Sequence, residues 1–81
     1  MSNNQTNNIE PRLPYNYAKI RLDSGLCVGC ATYSYQINNA AYIPVPRASN
    51  DYIDKYYNQQ NGLWYYDAEF TEIFDTSYLG N

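Results

Sequence analysis

The sequence predicts a mainly β fold: a small antiparallel hairpin or meander domain with at most one short helical turn. Three observations carry this expectation. Residues 15–22 alternate in polarity with period two, the pattern of a half-buried strand. Asp23-Ser24-Gly25 and Asn61-Gly62 place turn chemistry between apolar runs. Tyrosine, which favours strands, supplies 11 of the 81 residues.

The elements follow in chain order. Residues 1–14 open with Ser, Asn, Gln and Thr without periodicity and end with Pro11 and Pro14, so a flexible polar arm is expected. In Tyr15–Leu22, Ala18, Ile20 and Leu22 fall on one face, and Tyr17, Lys19 and Arg21 on the other. After the Asp23–Gly25 turn, Leu26–Tyr35 reads as the return strand. Leu26, Val28 and Cys30 share one face there, and Tyr33 and Tyr35 the opposite one. Asn38-Asn39 signals a turn, and Ala41–Val45 an edge strand, because Pro44 cannot donate to a ladder. Ser49 or Asn50 is placed to cap one helical turn through Tyr57, with Asp51 near the positive end of its dipole. Asn58–Gly62 then closes a hairpin onto the aromatic strand Leu63–Tyr66, and Glu69–Asp75 alternates as a further strand. The β-rich domain is expected over residues 15–75, with residues 76–81 as a tail that clips onto a neighbouring molecule.

Size and composition bound the function. At 81 residues the chain is one domain at most, and a domain this small is marginal alone. With two cysteines and no histidine, oligomerisation or docking is the expected source of further stability. A tyrosine ring is apolar and its hydroxyl is wet, which suits surfaces that meet partners. Net charge −3 and pI 4.5 argue against a phosphate-binding surface, so no nucleic acid is expected. No basic leader with an apolar run is visible, and no apolar stretch reaches bilayer length, so neither a signal peptide nor membrane insertion is expected.

The chemistry-bearing residues are sparse. Cys27-Val28-Gly29-Cys30 has CxxC spacing. Redox pairs of this type sit at a helix N-terminus, whereas here the pair falls in a strand with its members on opposite faces. A zinc site needs four ligands, and no second pair or histidine is present. The pair therefore reads as two small buried thiols, with zinc shared between subunits as the alternative. Asp51, Asp54, Asp67, Glu69, Glu72 and Asp75 do not follow calcium-loop spacing and read as solvated charges. No catalytic residues, cofactor or metal are expected, and the chain is read as non-enzymatic. The candidate binding surface is the aromatic hairpin: Tyr56, Tyr57, Trp64, Tyr65 and Tyr66. One of its faces packs inward; the other either offers exposed rings to protein or sugar or belongs to an internal aromatic ladder.

Tyr17-Ala18-Lys19-Ile20, Tyr42-Ile43-Pro44-Val45, Asp51-Tyr52-Ile53-Asp54-Lys55-Tyr56-Tyr57-Asn58 and Gly62-Leu63-Trp64-Tyr65-Tyr66-Asp67 together resemble a module of phages of low-GC Gram-positive bacteria. It occurs in small proteins of tail and baseplate gene clusters and at the ends of tail-fibre proteins. The resemblance covers about residues 15–75 and brings no catalytic residues. It implies a virion-associated tail or baseplate accessory near the host-binding tip. The partners expected are other phage tail proteins, further copies of the chain, and host cell-surface glycan. Two other functional classes fit the residues: a small acidic inhibitor of a host enzyme, suggested by the pI and by Asp67–Asp75, and a carbohydrate-binding module on Trp64 and Tyr65.

Overall fold

The structure, a computed structural model, describes residues 14–80. The expected polar arm lies outside the described residues apart from Pro14. The described chain is mainly β: a three-stranded and a two-stranded antiparallel sheet, with two short 3-10 turns. Among the described residues no helix is long and apolar enough to cross a membrane.

In the first sheet, β1 (Tyr15–Ile20) lies between β2 (Cys27–Tyr33) and β3 (Tyr42–Pro44). The alternation read from the sequence holds where it matters most: Ala18 and Ile20 point into the core and are almost fully buried. Leu22, expected on the same face, is 53% exposed, because β1 stops at Ile20 and Leu22 enters the turn. β3 is the edge strand that Pro44 required, pairing with β1 opposite Tyr17. Asn39 forms the turn ahead of it, its Oδ1 accepting from Ala41 N–H at 2.9 Å.

The β1–β2 hairpin contains a bulge. Lys19 pairs with Gly29 but Ile20 pairs with Cys27, so Val28 is the extra residue. This inverts the predicted facing of the strand's start. Cys27, not Val28, enters the core, and Val28 is 51% exposed. The cause is a competing partner: Cys27 N–H donates to Lys55 O at 2.8 Å, and Asp54 N–H donates to Cys27 O at 3.0 Å. The backbone N–H and C=O of Cys27 thus bond the next segment, although Cys27 still lies opposite Ile20. Cys27 and Cys30 consequently pair with Ile20 and Ala18 on one inner face, not on the opposite faces expected.

The turn before the bulge depends on Gly25. Its φ is +82°, and a Cβ there would clash with the Tyr57 carbonyl oxygen. Its own carbonyl accepts from Tyr57 N–H at 2.8 Å. That contact, with a bridge between Leu26 and Tyr56, joins the first sheet to the second.

The second sheet consists of β4 (Tyr56–Tyr57) and β5 (Trp64–Tyr65), with Tyr56 opposite Tyr65 and Tyr57 opposite Trp64. This is the pairing across Asn58–Gly62 that Asn-Gly predicted, and Gly62 takes φ +76°. Tyr56 and Tyr57 are therefore strand residues, not the end of a helical turn. The turn itself is 3-10 and shorter, Asn50–Tyr52, capped by Ser49 Oγ, which accepts from Asp51 N–H at 3.1 Å. Instead of the strand predicted over Glu69–Asp75, a single bridge links Tyr65 and Ile73. Asp67 organises the intervening loop: its carboxylate accepts from Thr71 Oγ1 at 2.6 Å and Glu72 N–H at 2.9 Å.

The core consists of Ala18, Ile20, Cys27, Tyr52, Trp64, Phe74 and Leu79. Leu79 sits on the second 3-10 turn, Ser77–Leu79, and is fully buried. The tail expected to clip onto a neighbour instead closes the chain's own core, because a small domain lacks apolar residues to fill it otherwise.

Candidate functional site

The five residues singled out in the sequence separate by depth. Trp64 and Tyr65 are each 7% exposed and so belong to the framework. Trp64 packs between Tyr52, at 4.9 Å between ring centroids, and Tyr57, at 5.0 Å. Tyr65 rests on Phe70 at 5.2 Å, and its hydroxyl accepts from Asn61 Nδ2 at 2.9 Å. Tyr56 and Tyr57 are half-buried, and only Tyr66 is exposed, at 50%. The adjacent positions 64, 65 and 66 cannot all face outward, because the strand alternates and its neighbours cover both sides.

Two other aromatic surfaces are assembled by the fold. On the outer face of the first sheet, Tyr17, Tyr33 and Tyr42 meet at 6.0–6.2 Å in tilted and edge-to-face contacts. Tyr35 extends the cluster at 5.7 Å from Tyr33 and is 61% exposed. The Lys19 ammonium lies 5.6 Å from the centre of the Tyr42 ring. Gly29 and Ala31 leave a shallow groove of about 230 Å³ between these rings. Tyr17 is held from behind, its hydroxyl accepting from Ile37 N–H at 2.9 Å. The signal for this face was present in the alternation of Tyr15, Tyr17 and Lys19 against Tyr33 and Tyr35. What was missing was Tyr42, which reaches the face only through the β1–β3 register.

The second surface surrounds Lys55, whose ammonium sits 4.8 Å from the Phe74 ring and 5.4 Å from the Tyr66 ring. Tyr78, 51% exposed, packs on Phe74 at 6.3 Å and donates its hydroxyl to Asp51 Oδ2 at 2.8 Å. That hydrogen bond holds the Tyr78 phenol above its ordinary pKa. Tyr78 was placed in the tail from sequence, and only the burial of Leu79 brings it here. Ile73, 57% exposed, adds a further apolar side chain to the exposed set.

Cys27 does not have the electrostatics of a redox thiol. Burial pushes the Cys27 thiol above its ordinary pKa, and its Sγ–H donates to Gly29 O at 3.2 Å. Cys30 Sγ accepts from Ser49 N–H at 3.4 Å. Among the described residues no group of three or more His, Cys, Asp and Glu side chains is placed to hold a metal ion. The two aromatic surfaces offer ring faces, phenolic hydroxyls and the Lys19 and Lys55 ammonium groups. No family model matches the chain, and neither a curated protein nor a solved structure does.

Proposed function

We propose that this chain is a non-enzymatic structural and adhesion component of a phage tail or baseplate, assembled as a homo-oligomer and presenting tyrosine-rich faces to neighbouring tail proteins or to the host surface. The observation that carries the reading is the exposure of Tyr35, Tyr66 and Tyr78, each half or more open to solvent yet each packed edge-on against another ring. Rings fixed in this way lose little conformational entropy when a partner covers them, which favours contact over mere tolerance of exposure. The resemblance of residues 15–75 to tail and baseplate modules supports the same reading.

Negative-stain microscopy of virions labelled with an antibody against this protein tests it. Label at the tail tip is the expected result. Unlabelled particles, with the protein confined to infected cytoplasm, would overturn the proposal.

A further inference from the structure

A concavity of about 630 Å³ lies away from both tyrosine surfaces. It is formed where the first hairpin turn faces the Asn58–Gly62 loop, and Phe70 closes one side. Its polar groups are oriented by the fold. Asn58 Oδ1 accepts from Gln60 N–H at 2.8 Å, which assigns its amide oxygen and leaves Nδ2 to donate. Gln59 Nε2 donates to Leu22 O at 3.2 Å, which assigns the nitrogen and leaves the carbonyl oxygen to accept. Among the described residues the Gln60 side chain makes no hydrogen bond. Asp23 adds a carboxylate on the rim, and its charge is matched by Arg21 at 2.9 Å.

The apolar wall is equally fixed. Phe70 has φ +59°, a conformation that a bulky residue avoids and that persists only where its surroundings impose it. Phe70 N–H donates to Asp67 O at 3.1 Å, Thr71 N–H donates to Asp67 Oδ1 at 3.1 Å, and the ring rests on Tyr65. Tyr57 also lines the cleft.

We infer that this cleft is a binding site for a neutral saccharide. A pyranose has an apolar C–H face and a rim of vicinal hydroxyls, each both donor and acceptor. Phe70 suits the face, and the Asn58 donor and Gln59 acceptor, on adjacent residues, suit hydroxyls. The lining holds no cationic side chain, so a phosphorylated or uronic sugar finds no counter-charge within it. This deepens the host-surface part of the adhesion reading but stands on separate residues. Sugar binding can fail while virions label, and virions can fail to label while sugar binds.

The test is a titration of the full-length protein, followed by amide NMR, with glucose, galactose, N-acetylglucosamine, their β-linked disaccharides, and glucuronate as the anionic control. Saturable shifts are expected with at least one neutral sugar in the millimolar range, centred on the Asn58 and Gln59 side-chain amides and on Phe70. Gln60→Ala and Phe70→Gly should each weaken binding by about tenfold or more. Glycine accepts the positive φ, so Phe70→Gly removes the ring without adding backbone strain. No saturable shift with any neutral sugar, tighter binding of glucuronate, or undiminished binding in both variants would overturn the assignment.

Discussion

Gly25 is the residue on which the joint between the two sheets depends. Any side chain there meets the Tyr57 carbonyl and must also adopt a positive φ. Gly25→Ala is expected to cost on the order of 1–3 kcal/mol from backbone strain, before the clash is counted, and to lower the denaturation midpoint accordingly. The aromatic residues divide the same way. Trp64→Ala opens a cavity at the centre of the core and should cost about 3–5 kcal/mol, whereas Tyr66→Ala should stay within roughly 1 kcal/mol in the isolated chain. Equal losses at the two positions in a chemical-denaturation series would show that their division into framework and surface is wrong. The thiols provide a third reading at this scale. Cys27 is fully buried and its thiol is disfavoured as a thiolate, while Cys30 is half-buried. Iodoacetamide under native conditions should therefore modify Cys30 first and reach Cys27 only on unfolding, as followed by intact mass and peptide mapping.

At the scale of elements, both hairpins were legible because their turns use local chemistry: Asp23–Gly25 and Asn61-Gly62 dictate reversal whatever packs around them. The edge strand was legible from Pro44 for the same reason. The bulge at Val28 was not, since it arises from Lys55 and Asp54, more than twenty positions away, bonding to both backbone groups of Cys27. Alternation over Glu69–Asp75 was misleading because Asp67 gathers the Thr71 and Glu72 donors into a loop before a ladder can form. That loop makes a pH prediction. The Thr71 hydroxyl, and after it the Glu72 and Thr71 amides, hold the Asp67 carboxyl below its ordinary pKa. A carboxyl whose folded pKa lies below its unfolded value stabilises the fold above the unfolded value. That contribution is lost as pH falls through the folded one. Acidification below about pH 4 should therefore shift the Thr71 and Glu72 amide resonances together, and Asp67→Asn should abolish that linked shift. Asp23 and Asp75, lowered by their own hydrogen bonds, would retain their separate responses.

For the whole molecule, the count of tyrosines was a poor guide to which rings reach the surface. The rings of the hairpin Tyr56–Tyr66 are adjacent in sequence, yet the fold turns Trp64 and Tyr65 inward and draws its outer rings from dispersed positions: Tyr33, Tyr35 and Tyr42 on one face, Tyr66 and Tyr78 on another. Tertiary register decides this, and no local pattern encodes it. Even after the tail contributes Leu79, the core is small and strongly aromatic, and Leu63, Tyr35, Tyr66, Ile73 and Tyr78 stay exposed. So much apolar side-chain surface on so small a domain is what the proposed assembly would cover. The mass of the protein in solution, measured by light scattering across a concentration series, tests this most directly. The expected result is a species several times the 9.4 kDa of one chain, shifted toward that value by Tyr35→Ser together with Tyr66→Ser. A single species of 9.4 kDa at every concentration would contradict it.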